Sequence, residues 1–469
     1  MKTARLWLAL LLGAVPAAAQ EQDGRLDRVV LADSVARAID QARSALAAGE
    51  LETAVDDYRR AQGLLGLDIL YGDAGDPDPL SAAIARGLAE AYLALGDPYA
   101  AAVEAERGTA LEDEDARLWT LLGLARYRLA EIAAATVAFD RALALDDEEA
   151  DAHWGLGLVA IAENRPEEAV ARADRALELR PESDYALTLA RWAETIGEHG
   201  RALAALDRWL EIRTDDPEVE GYRNLRHFYA LLARGPTAVL DPRTTRVQLG
   251  FDLKSGDEIP YVPVRFNGAA PVYVLFDTGA ERNVLDRGYA EEIGITLLPG
   301  GRLHGAYRPS PGGYALVDSL TVGSATLSRV PFAVGDFGAL SLRGQGAYYI
   351  AGVVNPALLF RDFVVALDYG RRRIELIRHG VGAETYLARP TTLRRSKAPF
   401  VFDVNGVWPV VRVRLDGSPE LPLLVDTGAS DLLISRQAAG ALRLDPLRFE
   451  ASLGGYRREA LRGILLDGP

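Results

Sequence analysis

The second half of the chain contains one segment twice, and this duplication limits the folds available to it. With a constant offset of 149 residues, Val262 aligns with Val411, and the sequence Asp-Thr-Gly-Ala at 277–280 recurs at 426–429. Each copy of this tetrapeptide directly follows a short apolar run. Short runs of strand-forming residues, separated by Gly and Pro, surround the first copy and recur in the second. We therefore expect two related all-β lobes.

We expect the first lobe to span residues 246–380 and the second to span residues 398–469. After Asp426 only 43 residues remain, whereas Gly352, in a later apolar motif of the first lobe, lies 75 residues after Asp277. The second lobe is therefore predicted to be incomplete, either because the sequence is a fragment or because the gene is truncated.

Two Asp-Thr-Gly turns can carry out chemistry that a single one cannot. A carboxylate that follows an apolar strand and precedes glycine lies in a tight turn, because glycine lets the backbone approach closely. One such carboxylate is only a buried acid that needs partners. Two of them at close range cannot both ionise, so they share a proton, and a water held between them can attack a carbonyl group. The duplicated turn therefore indicates hydrolysis without a metal or a covalent nucleophile.

Both turns, with the residues before them, resemble the catalytic turns of retropepsin-like (retroviral-type) aspartic proteases. The matching segments are Leu275–Ala280 and Leu424–Ser430. The resemblance implies that Asp277 and Asp426 are the catalytic aspartates and that no cofactor or metal is needed. The residues implied to support them are Thr278, Gly279, Thr427 and Gly428. In this family the two threonines form a hydrogen-bonded clasp between the turns.

Two further segments of the first lobe fit the same family. The glycine-rich segment Gly300–Tyr314 is a candidate for the flap that closes over a peptide, with Tyr307 or Tyr314 in contact with substrate. The alternative is an exposed loop tip without a function. Ile350–Pro356 matches the family's second motif, except that Asn355 replaces its second glycine. We expect this departure to be mild, because asparagine tolerates left-handed backbone better than most residues do.

The corresponding segments of the second lobe are harder to locate. Ser452–Tyr456 is the candidate for its flap region, and Leu461–Leu466 resembles the strand predicted at Leu316–Leu320. The alternative is that Gly463–Leu466 is the second motif in a shortened form.

Residues 30–235 carry a different repeat, with a period near 34. Trp119–Gly123 aligns with His153–Gly157 at this spacing. Small residues recur at the same spacing at Ala135, Ala142, Ala169 and Ala176. A unit of two helices cannot bury its apolar face alone, so several units stack into a solenoid. The pattern resembles tetratricopeptide (TPR) repeats, which implies binding of a protein or peptide; a plain helical bundle is the alternative.

Charge and composition exclude several other functions. Residues 1–245 contain 26 Lys and Arg against 44 Asp and Glu, whereas residues 246–469 contain 26 against 23. The acidic first part argues against binding of nucleic acid, whose phosphates need a positive surface. The chain has no cysteine and five widely spaced histidines, which excludes thiolate sites and disfavours a histidine metal site.

The first 19 residues have the pattern of a signal peptide. Lys2 and Arg5 precede an apolar run, and small residues lead to Ala17 and Ala19 in an Ala-x-Ala cleavage pattern. An apolar run of about ten residues covers roughly half of a bilayer core. We expect cleavage after Ala19 and export to the periplasm or the exterior, with a retained anchor as the alternative. No stable membrane insertion of the mature chain is expected.

These expectations describe a multidomain protein in which an α-helical part is followed by a β-sheet part (α then β). A TPR-like α-solenoid precedes two acid-protease-like lobes, of which the second is incomplete. The predicted function is that of an exported aspartic endopeptidase, in which an Asp277/Asp426 dyad activates a water and the repeats bind a protein partner. The alternative is a non-catalytic periplasmic binding scaffold with degenerate protease-like lobes. The sequence leaves open whether the dyad forms within one chain or between the two chains of a homodimer.

Overall fold

A computed structural model describes most of the chain between residues 33 and 429. The described residues are 33–71, 79–181, 184–253, 258–303, 310–336, 349–380, 398, 400–403, 405–414, 420–429, 433–434 and 464–465. The predicted signal peptide, Tyr307 and the candidate flap at Ser452–Tyr456 lie outside these residues. The chain forms two compact units that divide between Gly155 and Leu156. Because this division lies inside the predicted repeats, the later helices share a unit with the β-strands.

The first half of the described chain is helical. Its helices are α1 (33–47), α2 (Leu51–Tyr71), α3 (Pro79–Leu95), α4 (Pro98–Leu111), α5 (Ala116–Arg128), α6 (Ile132–Leu145), α7 (Ala150–Ala162), α8 (Pro166–Leu179), α9 (Tyr185–Thr195), α10 (His199–Ile212) and α11 (Val219–Leu232). Helices α5, α7 and α9 begin at residues 116, 150 and 185, and α6, α8 and α10 begin at residues 132, 166 and 199. This alternation of two helices at a spacing near 34 confirms the predicted TPR-like repeats.

Local sequence determines where several of these helices begin. The side chain of Asp97 accepts a hydrogen bond from the N–H of Ala100 at 3.0 Å, and Pro98 occupies the first turn of α4. Asp115 caps α5 in the same way, at 3.1 Å from the N–H of Leu118. Such caps satisfy N–H groups that have no partner inside the helix. None of the described helices is long and apolar enough to span a membrane.

Small residues determine how closely the helices pack. The four alanines that recur at the repeat spacing, Ala135, Ala142, Ala169 and Ala176, are fully buried. In the first compact unit, the ring of Phe139 lies against the backbone of α5 and α7. A Cβ atom added to Gly123 would lie 2.5 Å from this ring, and one added to Gly155 would lie 2.2 Å from it. Glycine is therefore required at both positions, because any side chain would displace the ring.

Overpacking at one buried alanine tests this description of the repeats. Ala169→Phe on α8 should lower the free energy of unfolding by about 1–3 kcal/mol, because the site has no free volume for a ring. Ala171→Phe is the matched control, since Ala171 is exposed on the same helix. Chemical denaturation of both full-length variants provides the measurement. Equal stability of the two variants would show that the packing assigned to α8 is wrong.

The second half of the described chain consists mainly of β-strands. The strands of the first lobe and its preceding linker are β1 (Val239–Leu240), β2 (Arg246–Gly250), β3 (Tyr261–Phe266), β4 (Val272–Phe276), β5 (Val284–Asp286), β6 (Leu298–Leu303), β7 (Ser310–Val322), β8 (Ala325–Gly335), β9 (Ile350–Val354), β10 (Phe363–Asp368) and β11 (Arg373–Arg378). Two short helices, α12 (Arg287–Glu292) and α13 (Pro356–Leu359), lie between them. The predicted α-then-β organisation is therefore confirmed.

The first lobe is built around one closed sheet. Its strand order is β1-β8-β5-β9-β4-β3-β7-β6, and an additional β7–β8 pairing joins six of these strands into a barrel. Strands β10, β11 and β2 form a separate three-stranded sheet. Side chains of β3 alternate between the barrel interior and the surface, because Val262, Val264 and Phe266 are buried while Pro263 and Arg265 are exposed. The barrel interior is the apolar core that supports β4 and the turn after it.

The second lobe repeats the backbone pairing of the first. Its described strands are β12 (Phe400–Phe402), β13 (Pro409–Arg414), β14 (Glu420–Leu424), β15 (Leu433–Ile434) and β16 (Ile464–Leu465). In the first lobe Val262 pairs with Val274, and at the offset of 149 Val411 pairs with Leu423. The duplication seen in the sequence therefore extends to strand register.

The pairing of β16 distinguishes the two interpretations of Leu461–Leu466. This strand pairs antiparallel with β15, whose counterpart at the offset of 149 is β5. In the first lobe, β5 pairs antiparallel with β9, the strand of the second motif, and it makes no pairing with β7. The register of Ile464 and Leu465 therefore favours a shortened second motif over the predicted likeness to Leu316–Leu320.

Candidate active site

The first Asp-Thr-Gly turn is held at the end of a buried strand. Strand β4 lies between β3, with which it is antiparallel, and β9, with which it is parallel. The N–H of Asp277 donates a hydrogen bond to the carbonyl oxygen of Val354 at 2.9 Å. The aspartate therefore leaves the sheet from a position fixed on both sides by backbone hydrogen bonds.

The two turns meet within one chain, and their threonines link them reciprocally. The N–H of Thr278 donates to Oγ1 of Thr427, and the N–H of Thr427 donates to Oγ1 of Thr278, both at 3.0 Å. Each hydroxyl then donates to a carbonyl oxygen of the opposite strand. Thr278 reaches Val425 and Thr427 reaches Phe276, both at 2.7 Å. Four hydrogen bonds therefore relate the turns by an approximate twofold symmetry.

The carboxyl groups lie directly across from each other's glycines. The N–H of Gly279 donates to Oδ1 of Asp277 at 2.7 Å, and the N–H of Gly428 donates to Oδ1 of Asp426 at 2.8 Å. A Cβ atom added to Gly279 would lie 2.4 Å from the carboxyl carbon of Asp426, and one added to Gly428 would lie 2.5 Å from that of Asp277. Glycine at both positions is therefore a condition for the close approach of the carboxyls.

The environment of the pair favours one bound proton. Burial of the carboxyl, the negative charge of Asp426 and a hydrogen bond with its carboxyl raise the pKa of Asp277 from 3.8 to about 7. The backbone N–H groups of Gly279 and Ala280 act in the opposite direction but are outweighed. At mildly acidic pH one of the two carboxyls is therefore protonated, so that the pair can act as acid and base together.

Removing one hydroxyl of the clasp should destabilise the contact between the turns. Thr278→Val keeps the shape of the side chain but leaves the N–H of Thr427 and the carbonyl of Val425 without this partner. We expect the free energy of unfolding to fall by about 1–3 kcal/mol. Thr278→Ser, which keeps the hydroxyl, is the control for chemical denaturation. If the valine and serine variants are equally stable, the hydroxyl makes no such contribution.

Strand β9 carries the predicted second motif next to this turn. A Cβ atom added to Gly352 would lie 2.2 Å from the carbonyl oxygen of Val284, so glycine lets β5 and β9 pair closely. The tolerance of asparagine for left-handed backbone is not used at Asn355, because its φ is −97°. Its amide instead supports the turn. Nδ2 donates to the carbonyl of Ala280 at 2.6 Å, and Oδ1 accepts from the N–H of Ala357 at the start of α13, at 2.8 Å.

The sequence did not single out Asn283, which completes this support. Asn283 is buried, with 4% of its surface exposed, and its Oδ1 accepts a hydrogen bond from the N–H of Asn355 at 2.9 Å. The available sequence signal was a polar side chain six residues after Asp277, just before the apolar residues of β5. Asn283 and Asn355 together fix the loop that follows the first turn against β9.

The candidate flap is a β-hairpin at its base. Strands β6 and β7 pair antiparallel, with Leu298 opposite Tyr314. The hairpin tip, including Tyr307, lies outside the described residues. The ring of Tyr314 stacks on Phe228 of α11, with centroids 4.8 Å apart and planes inclined by 12°. Tyr314, a predicted substrate contact, is therefore held against the last helix of the repeats.

Sequence comparison identifies the family that this site resembles. The family model for aspartyl proteases matches residues 262–353, from β3 to β9. This segment contains the first turn, the hairpin and most of the second motif. The first lobe is aspartyl-protease-like. Asp426 lies outside the matched segment. Its candidate role as the second aspartate of the site therefore depends on the duplication and on the geometry of the two turns.

Other comparisons concern the repeats. A TPR protein of Thermus thermophilus is 20% identical, with a TM-score of 0.35, and the match covers 42% of this chain and 99% of that chain. PilF of Pseudomonas aeruginosa is 19% identical, with a TM-score of 0.34, and the match covers 44% of this chain and 89% of that chain. No curated protein matched the chain significantly.

Proposed function

We propose that this chain is an aspartic endopeptidase in which Asp277 and Asp426 activate a water molecule. The observation that carries the proposal is the meeting of two carboxyls across clasped turns of one chain. The aspartyl-protease-like sequence of the first lobe supports the same activity. The substrate is a protein or peptide in an extended conformation, because the hairpin of β6 and β7 would cover a strand-like chain.

The proposed reaction uses the shared proton of the pair. The ionised carboxyl takes a proton from the water, which attacks the carbonyl carbon of the peptide bond. The protonated carboxyl donates its proton to the carbonyl oxygen, giving a neutral tetrahedral diol. The carboxyl that took the proton from the water then gives it to the amide nitrogen, and the other carboxyl takes a proton from a hydroxyl of the diol. The carbon–nitrogen bond breaks, the acid and amine products form, and the pair again holds one proton. Acid and base therefore exchange roles once in each cycle.

Replacement of each aspartate tests this function. Asp277→Asn and Asp426→Asn should each abolish cleavage of a diverse pool of extended peptides between pH 3 and 8. The double variant should be little worse than either single one, because residues that act as a unit are not additive. Full activity of Asp426→Asn with none in Asp277→Asn would instead indicate that two first lobes pair in a homodimer. Wild-type protein that cleaves no peptide in the pool would refute the proposal.

The raised pKa of Asp277 predicts a pH dependence for both activity and stability. Peptide cleavage should decline as pH rises through about 7, where the pair loses its proton. Between about pH 4 and this value the folded protein holds a proton that the unfolded chain has lost, so the free energy of unfolding should fall as pH rises. Subtracting the profile of Asp277→Asn isolates this contribution. A difference profile that is flat or rises with pH would contradict the shifted pKa.

A binding scaffold without activity is the second candidate. The strand before the second turn is less covered than its counterpart, since Leu424 and Val425 are 39% and 41% exposed whereas Leu275 and Phe276 are 9% and 1% exposed.

Whether the lobes are active or not, we propose that the repeats bind a protein partner. Val103 on α4 and Val137 on α6 lie 34 residues apart and are 62% and 67% exposed, which supports an apolar contact surface.

We also propose export to the periplasm or the exterior. The basic and apolar start of the chain and the Ala-x-Ala pattern support this location. Protein produced in an exporting bacterial host should begin at Gln20, as measured by intact mass. Ala17→Arg with Ala19→Arg should block the cleavage. Recovery of the wild-type protein uncleaved in the membrane fraction would contradict export of a processed form.

A further inference from the structure

The loop after the first turn is tied to helices of the repeat region. Nη1 of Arg282, five residues after Asp277, lies 2.7 Å from Oε1 of Glu194 on α9. The hydroxyl of Tyr229 on α11 donates to the other carboxylate oxygen, Oε2, also at 2.7 Å. Both oxygens of Glu194 are therefore occupied, one by the loop and one by a second helix. All of these residues belong to the same compact unit.

This arrangement is largely shielded from water. The side chains of Arg282 and Glu194 are 26% and 17% exposed, and Tyr229 is fully buried. A charge in such a place needs its partner. Removing one member of a buried ion pair lowers the free energy of unfolding much more than replacing both members by apolar side chains does. The loop position is therefore coupled to the positions of α9 and α11.

Helix α11 also contacts the base of the candidate flap. Nδ2 of Asn224 donates to the carbonyl oxygen of Gly300 at 3.2 Å. A Cβ atom added to Gly221 would lie 3.0 Å from the Cα of Gly301, so helix and strand touch through two glycines. Helix α11 therefore contacts the base of the candidate flap directly. It reaches the loop after Asp277 indirectly, through the bond from Tyr229 to Glu194 and the ion pair of Glu194 with Arg282.

We propose that Glu194 and Tyr229 are positioning residues for the dyad and that α9 and α11, the helices that carry them, form an integral part of the active site. This inference rests on the proposed peptidase function. Glu194 holds Arg282 and, through it, the residues that follow the turn. Small displacements of a catalytic group reduce turnover strongly, because the reacting atoms must be aligned. Neither residue contacts the aspartates, so both act through Arg282.

Three variants and one control test the proposal in the full-length protein. Glu194→Gln removes the charge, Tyr229→Phe removes one hydrogen bond, and the triple variant Glu194→Met/Arg282→Met/Tyr229→Phe replaces the ion pair together with the buried hydroxyl that bonds to Glu194. Asp207→Asn is the control, because Asp207 pairs with Arg226 between α10 and α11. The Asp207–Arg226 pair joins two helices, as the Glu194–Tyr229 hydrogen bond does, and both of its side chains are partly exposed.

The kinetic result separates positioning from folding stability. Glu194→Gln should lower kcat about tenfold with KM nearly unchanged, and Tyr229→Phe about threefold, whereas Asp207→Asn should match the wild type. The triple variant should regain the melting temperature lost in Glu194→Gln, because it leaves no buried polar group without a partner, but it should not regain the lost kcat. Recovery of kcat together with the melting temperature would mean that the ion pair is only structural and would overturn the proposal.

A second measurement keeps the inference testable if the protein cleaves nothing. Hydrogen exchange of the amides at 277–283 should be faster in Glu194→Gln than in the wild type and unchanged in Asp207→Asn. Unchanged exchange in Glu194→Gln would refute the positioning role whether or not the protein is a peptidase. Faster exchange in Glu194→Gln, together with a wild-type protein that has no activity, would refute the proposed function alone.

Discussion

The reciprocal hydrogen bonds between Thr278 and Thr427 determine the geometry on which the candidate site depends. Each hydroxyl accepts from the opposite N–H and donates to the opposite strand, so neither turn can move away from the other without breaking all four bonds. The clasp brings the carboxyls over Gly279 and Gly428, where a larger residue would collide with them. Close approach and burial then raise the pKa of Asp277, which gives the pair its single proton. The chemistry proposed for the pair therefore depends on four hydrogen bonds and two glycines.

The helical repeats contribute more than a separate binding domain would. The boundary between the compact units lies at Gly155, so α8 to α11 share a unit with both lobes. Arg361 illustrates the connection, because its guanidinium donates to the carbonyl oxygen of Thr195 at 3.3 Å, at the end of α9. Arginine is favourable there, since the C-terminus of a helix carries partial negative charge. The β-lobes without these helices would lack this contact and those of Glu194.

Local patterns in the sequence predicted a large part of this structure. The period near 34 predicted the helical pairs, and the offset of 149 predicted a register that β13 and β14 reproduce. These signals are local, because each depends on residues that recur at fixed spacing. The reason given for Asn355, tolerance of left-handed backbone, does not apply, because the residue has an extended backbone and acts through its amide. Glu194 and Tyr229 carried no signal, since Glu194 is 88 residues from Arg282 and 35 residues from Tyr229, and only the tertiary fold brings the three together.

In the proposed enzyme one chain supplies both halves of the dyad, and mixing inactive variants tests this most directly. Asp277→Asn protein and Asp426→Asn protein are combined in equal amounts under conditions that allow any subunits to exchange, and peptide cleavage is measured. An intramolecular dyad predicts that the mixture stays as inactive as its components, because every chain contains one damaged pair. If the pair formed between chains, mixed dimers would restore one intact site in each, and about a quarter of all sites would be active. Recovery of that activity would contradict an intramolecular dyad.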